Sequence, residues 1–286
     1  MKSNIQSNLI LRRILPATIL ALLVLVWAAP AFAITFGQPD TDNQFPFVGS
    51  IVVHRADGRV GQFCSGTLIA PRVYMTAAHC TIYLQGLIQS GTLGLDNLAI
   101  SFSNTDIFDE GTWLAVSELY THPGYNGVSK SSHGVDVGLV ILEQPVDGIT
   151  PAPLPPAGLL DELKAAGMLG QGADKAIFTA VGYGDLLEWP PPQTVNSDGG
   201  RWYSYSEYRA LNSKWLSLSQ NPATGNAGTC YGDSGGPNFL LIDGAWVPVG
   251  ITSWGDAPCI STNVTYRVDI PETLGFIELV MAGLGE

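Results

Sequence analysis

The last histidine of this chain is His133. The residue best equipped to act as a nucleophile, Ser234 in Cys230-Tyr231-Gly232-Asp233-Ser234-Gly235-Gly236-Pro237, comes long after it. A serine hydroxyl attacks a carbonyl only when a base takes its proton and donors stabilise the oxyanion that results. Any imidazole that serves Ser234 must therefore precede it in the chain. Gly232-x-Ser234-x-Gly236 also fits the nucleophile elbow of the α/β-hydrolases, but that fold places its histidine after the serine and is excluded. An order of aspartate, histidine, serine could draw on Asp40, Asp42 or Asp57. It would require alternating strand and helix units, and none are visible.

The pattern along the chain is instead one of short runs rich in Val, Ile, Leu and aromatics, interrupted by Gly and Pro. Strands are expected at 47–54, 62–69, 73–77, 98–102, 113–120, 137–142, 177–182, 247–253 and 264–268. Many short strands with few helices indicate a sandwich or a barrel. Helices are expected over Leu159–Leu169, after a proline-rich lead-in (Pro151, Pro153, Pro155, Pro156), and over Pro271–Ala282, where Pro271 suits a first helical turn. The proline-rich lead-in reads as the link between two halves. The stretch from Leu186 to Gly225, with Pro190-Pro191-Pro192 and Gly199-Gly200, reads as long surface loops.

The N-terminus has the form of a secretory signal: Lys2, Arg12 and Arg13, an apolar run from Ile14 to Ala29, and Ala31-Phe32-Ala33 as a small-residue cleavage site. Cleavage after Ala33 removes three positive charges and no acid from a chain of formal charge −12, leaving residues 34–286 near −15. An acidic exported protein of this kind is a poor partner for nucleic acid or for an anionic membrane surface. Hydrophobic residues make up 46% and charged residues 13%, which allows a substantial core. Four cysteines, Cys64, Cys80, Cys230 and Cys259, allow three disulfide pairings, in keeping with an oxidising destination. No C-x-x-C or H-E-x-x-H spacing suggests a metal site.

His79, in Thr76-Ala77-Ala78-His79-Cys80, is the histidine expected to serve Ser234. Asp136, heading the apolar run Asp136-Val137-Gly138-Leu139-Val140, is the carboxylate expected to orient it. Asp106, Asp109 and Asp147 are rivals, but none directly leads such a run. His54 is read as structural, and His122 and His133 as loop residues. Asp96, Asp106, Asp109 and Glu110 show no ligand pattern and are read as solvated charge.

The serine and histidine motifs, with the Asp136 segment between them, resemble the trypsin/chymotrypsin family of serine proteases. The resemblance spans residues 34–286 and is weaker in the loops. It implies an all-β fold of two packed antiparallel six-stranded barrels, the first about 34–150 and the second about 151–286, with a C-terminal helix. It also implies endopeptidase activity without a cofactor, carried by His79, Asp136 and Ser234, with the N–H groups of Gly232 and Ser234 as the oxyanion hole. The family's cysteine pattern implies Cys64–Cys80 and Cys230–Cys259. Its activation mechanism implies that a new N-terminus at Ile34, made by cleavage of the signal segment, pairs with Asp233. Ile34-Thr35-Phe36-Gly37 is a divergent form of the usual start.

The specificity pocket would have Gly228 at its base, Ser253-Trp254-Gly255 along one wall and Asn263 on the other. With no acid at position 228, an uncharged side chain before the scissile bond is expected, and Asp256 is read as a solvated loop carboxylate. Asn263-Val264-Thr265 is also a glycosylation sequon, unsuited to modification inside a strand. Partners would be protein or peptide substrates and protein inhibitors, and the chain would be a secreted monomer. The alternatives are an inactive relative that only binds proteins, and an esterase on the same fold.

Overall fold

In the computed structural model, which describes residues 33–55, 57–127, 134–188, 193–195 and 197–285, strands predominate and close into two barrels. Residues 1–32 of the signal segment and His133 lie outside the described residues. The first barrel is built from β2 (Val48–His54), β3 (Val60–Ala70), β4 (Val73–Thr76), β5 (Leu98–Ser101), β6 (Trp113–Thr121) and β7 (Gly138–Leu142), in the order β2-β3-β4-β7-β6-β5. Every neighbouring pair is antiparallel. Closure leaves no edge strand to be covered.

The second barrel uses β8 (Ile177–Gly182), β11 (Trp202–Leu211), β12 (Trp215–Ser219), β13 (Pro237–Ile242), β14 (Ala245–Gly255) and β15 (Thr262–Arg267). Their order is β11-β12-β15-β14-β13-β8, and β8 pairs back onto β11. A separate antiparallel pair is formed by β9 (Leu186–Glu188) and β10 (Gln193–Val195). The first strand, β1 (Gln38–Pro39), pairs with β11. The N-terminal segment thus crosses to the second barrel, although it precedes the first in sequence.

The elements depart from expectation at several points, among them β13 (Pro237–Ile242), a barrel strand where none was expected. The stretch 186–225 is not all surface loop: β11 and β12 lie within it and supply two of the six staves of the second barrel. Their Ser, Tyr and Trp content concealed them, because small and aromatic polar residues such as Ser204, Ser206 and Ser219 are buried there without being apolar. The segment after His79 is a helix, α2 (Ala78–Gln89), where no helix was expected. The helix α3 (Leu159–Ala165) ends earlier than expected, at the turn before Gly167, and α4 (Pro271–Leu284) runs slightly longer. One further helical turn, α1 (Ala33–Phe36), precedes β1.

The first barrel is filled by residues such as Leu68, Tyr74, Ile100, Leu139 and Ile141, and Phe276, Ile277 and Val280 of α4 join the same cluster. The second is filled by Phe178, Leu216, Leu218, Leu240 and Val249. Between the barrels Phe45 stacks on Phe239 and packs at a tilt against Tyr203 and Trp246, with centroids 6.0, 5.3 and 5.0 Å away. The same seam holds a fully buried ion pair, Arg201 Nε to Asp40 Oδ2 at 2.7 Å. A buried guanidinium is tolerable only when its other donors are also satisfied. Those of Arg201 reach Val48 O, Phe102 O, Tyr183 Oη and Asn43 Oδ1. The pair locks both barrels and the N-terminal segment to one another, beside the cleft where they meet.

Candidate active site

His79 lies in the first turn of α2, where backbone N–H groups have no intrahelical partner. Asp136 supplies one. Its Oδ1 accepts the His79 backbone N–H at 3.0 Å, and its Oδ2 contacts His79 Nδ1 at 2.9 Å. A carboxylate at a helix N-terminus also meets the positive end of the helix dipole. Because an ionised carboxylate can only accept, Nδ1 carries the proton and Nε2 is left as the basic nitrogen. Ser253 Oγ donates a further hydrogen bond to Oδ2. Asp136 is wholly buried, so these three donors are what make an ionised carboxylate tolerable there. The imidazole is 27% exposed.

The approach of α2 to the start of β7 is what sets this pair. A Cβ at Gly138 would sit 2.5 Å from Thr81 Oγ1, so only glycine allows helix and strand this close. The Cys64–Cys80 disulfide, Cα–Cα 6.5 Å, ties the same turn to β3. The rival carboxylates are engaged elsewhere or exposed: Asp106 and Asp109 each accept a backbone N–H two residues on, and Asp147 is exposed. Asp40 is bound to Arg201 and Asp57 to Arg59. His54 stacks on Trp113 at 4.9 Å. His122 meets Phe276 edge-on at 4.8 Å, and burial lowers its pKa from the ordinary histidine value. It is therefore docked on α4 rather than merely a loop residue.

Ser234 sits in a turn whose carbonyls from 231 to 234 are all engaged in hydrogen bonds. Tyr231 O accepts from Asp185 N at 2.6 Å, Asp233 O from Gly236 N at 2.9 Å, and Ser234 O from Ser65 N at 2.8 Å. Gly232 O accepts from Gln62 Nε2 at 2.7 Å and Ser65 Oγ at 3.2 Å. In a trans peptide the N–H opposes the preceding carbonyl. The N–H groups of Gly232 and Ser234 are thus turned the other way, and among the described residues neither has a partner. Gly232 reaches this geometry at φ +92°, which glycine adopts without strain. Among the described residues no hydrogen bond joins the imidazole to the Ser234 hydroxyl. The two motifs meet through the backbone: a Cβ at Gly235 would lie 2.0 Å from Thr76 Oγ1 and 2.9 Å from Ala77 N.

Asp233 is wholly buried, with Oδ1 accepting from Gly184 N and Oδ2 from Cys230 N, each at 2.8 Å. Burial pushes its pKa up to about 7, opposed by those two N–H groups and reinforced by nearby Asp185. Ile34 is also buried, and α1 lies against β9 and β11. β9 follows directly on Gly184-Asp185, the segment that holds Asp233.

A cavity of about 330 Å³ opens beside Ser234, lined by Thr229, Cys230, Tyr231, Thr252, Ser253, Trp254, Gly255 and the loop to Cys259. The Cys230–Cys259 disulfide, Cα–Cα 5.3 Å, closes one side. Cavities of similar size on the first barrel contain none of Ser234, His79 and Asp136, so chemistry rather than volume singles this one out.

Two expected pocket residues are displaced from its lining. Gly228 and Asn263 are buried and do not face the cavity. Asn263 Nδ2 donates to Asn238 Oδ1 at 2.9 Å, which also removes it as a glycan acceptor. Gln220, which nothing in the sequence singled out, covers Gly228: its Oε1 accepts from Thr229 N at 2.8 Å, and a Cβ at 228 would lie 2.0 Å from that oxygen. Asp256 lines the cavity but is spent on its own loop, accepting from the N–H groups of Ile260, Ser261 and Thr262. Those hydrogen bonds outweigh its burial and lower its pKa. Gly228→Asp is therefore expected to collide with Gln220, to destabilise by about 1–3 kcal/mol as an overpacked site, and to confer no Arg or Lys cleavage. A thermal melt and a P1-Arg/P1-Ala substrate pair check this.

Comparison with known proteins decides the family. A family model described as Trypsin matches residues 34–274. This chain belongs to the trypsin family. A "Trypsin-like protease" of Streptomyces glaucescens is 30% identical, covering 82% of this chain and 80% of its own length. A "Trypsin" of Saccharopolyspora erythraea is 31% identical over 77% of this chain and 86% of its own. A "Tryptase" of Mus musculus is 28% identical over 90% and 96%. Family membership and the paired closed barrels identify this trypsin-family chain as a serine endopeptidase.

Proposed function

We propose that this chain is a secreted endopeptidase that cleaves peptide bonds after uncharged side chains through an acyl-enzyme on Ser234. His79 Nε2 takes the proton from Ser234 Oγ as it attacks the scissile carbonyl, then returns it to the leaving amine. Asp136 holds the imidazole in the required tautomer and stabilises its cation. The N–H groups of Gly232 and Ser234 receive the oxyanion. The observation that carries this reading is the turn at 231–234: its carbonyls are all engaged, and the N–H groups of Gly232 and Ser234 have no partner among the described residues. The open imidazole–hydroxyl contact is compatible, because catalytic hydrogen bonds are often long until substrate binds. A fluorophosphonate probe tests the reading. Labelling of wild type at Ser234, with cleavage of a denatured protein, supports it; no labelling rejects it in favour of a binding protein, and ester turnover without proteolysis in favour of an esterase.

Cleavage after Ala33 would activate the enzyme. In the longer chain Asp233 has a raised pKa, so the folded form holds a proton that the unfolded form releases. This contribution to stability is therefore lost as pH climbs from about 4 to about 7. An ammonium at Ile34 beside Asp233 would favour the charged carboxylate and reverse that loss. It would do so until the amine itself deprotonates, which the same pairing moves above the ordinary α-amine value. A chain starting at Ile34 is expected to show full active-site titre. Chains starting at Ala33 or Thr35 should lose about 100-fold, the lower end of the cost of an unpaired buried charge. N-terminal sequencing of active secreted protein beginning anywhere else would contradict this.

A further inference from the structure

The oxyanion donors depend on how the two peptide planes meeting at Gly232 are held, and one of these planes is held by side chains. Glycine is the residue freest to rotate, so the N–H of Gly232 stays aimed at the cleft only if the planes on both sides of it are anchored. The plane before it is fixed by backbone alone, through Tyr231 O and Asp185 N. The plane after it is held at its carbonyl by Gln62 Nε2 at 2.7 Å and Ser65 Oγ at 3.2 Å, and at its N–H by the longer bond from Asp233 N to Cys230 O at 3.2 Å. The carbonyls of Asp233 and Ser234 are again held by backbone N–H groups. Of the four carbonyls from 231 to 234, Gly232's alone is thus held by side chains among the described residues, and substitution can release it.

We propose that Gln62 and Ser65 are positioning residues for the oxyanion site. The proposal rests on the catalytic reading above. Gln62 is half-buried and works from the rim of the cleft, with its Oε1 2.5 Å from where a Cβ on Gly232 would stand. It braces the glycine as well as its carbonyl. Ser65 is fully buried and sits at a junction. Its hydroxyl donates to Gly232 O and accepts from Tyr183 N at 3.1 Å, while its own N–H donates to Ser234 O. Tyr183 Oη in turn accepts from Arg201 at 3.2 Å, so the bracing of the nucleophile turn continues into the seam between the barrels.

Gln62→Glu tests the proposal, because it keeps the shape and replaces the amide donor by an oxygen that repels Gly232 O. The variant should retain its thermal midpoint, since Gln62 is outside the core. Its kcat on a peptide amide should fall about 10- to 100-fold, up to the lower end of the loss for deleting one oxyanion donor, with KM within about twofold. Affinity for a peptide boronic acid, which forms the tetrahedral adduct, should fall by a similar factor, while affinity for the corresponding product peptide should not. Ser65→Ala should show the same split with a smaller change. The two effects should not add in the double variant, because both groups hold one oxygen. Unchanged kcat in Gln62→Glu, or equal losses in boronate and product binding, overturns the proposal. Absence of turnover and of fluorophosphonate labelling in wild type would instead reject the catalytic reading itself.

Discussion

Ser234→Ala is expected to reduce peptide hydrolysis by about 10⁶-fold, the scale seen when a serine protease loses its nucleophile, while leaving the melting temperature unchanged. The second half of that expectation comes from this structure. Ser234 is anchored by its carbonyl on Ser65 N, and its Oγ makes no hydrogen bond among the described residues. Removing the oxygen therefore costs the fold no hydrogen bond. Paired measurements of kcat/KM and of thermal unfolding check it. Substantial residual turnover would mean that another group attacks the substrate, and a large drop in stability would mean that the hydroxyl is a structural element.

Asp136→Asn is expected to lower kcat by about 10⁴-fold with little change in KM. The carboxylate accepts from three donors: the His79 N–H on Oδ1, and His79 Nδ1 and Ser253 Oγ on Oδ2. An amide offers one oxygen. If that oxygen faces the His79 backbone N–H, the NH₂ faces Nδ1, which must then give up its proton. The imidazole shifts to the tautomer protonated at Nε2, which cannot accept a proton from Ser234. In the reverse orientation an NH₂ opposes a buried N–H at the start of α2, leaving a donor unsatisfied at a cost of about 1–3 kcal/mol. The first orientation is favoured, since Ser253 Oγ can turn to accept from the NH₂. The imidazole ¹⁵N spectrum of the variant should report the changed tautomer. Retention of the wild-type tautomer together with wild-type kcat would remove Asp136 from the mechanism.

Much of the architecture was legible because barrel strands carry a local signature. β2 to β8, β14 and β15 were visible as apolar runs between Gly and Pro, β13 was not, and the catalytic motifs are contiguous stretches whose residue types announce their chemistry. β11 and β12 escaped because their buried faces carry Ser, Tyr and Trp, some of whose polar atoms find partners distant in sequence. Ser206 Oγ, for example, donates to Ala227 O. The helix after His79 escaped because its N-terminus is capped by Asp136, 57 positions away, instead of by a neighbouring Ser, Thr, Asp or Asn. At the pocket, Gly228 was identified as a position lacking an acid, but nothing local could show that Gln220 lies across it.

From its residues alone, this chain specified a histidine-before-serine order, a strand-rich fold and the chemical types needed for acyl transfer. These follow from short-range patterning and from which side chains can act as nucleophile or base. The cleft itself was decided only in three dimensions: Asp136 at the head of α2, Ser253 behind it, Gln62 and Ser65 on Gly232 O, and Gln220 over Gly228. Each of these contacts joins groups whose meeting depends on the closure of a barrel or on the docking of one barrel against the other. Hydrogen-bond geometry is set by distances that no spacing along the chain encodes.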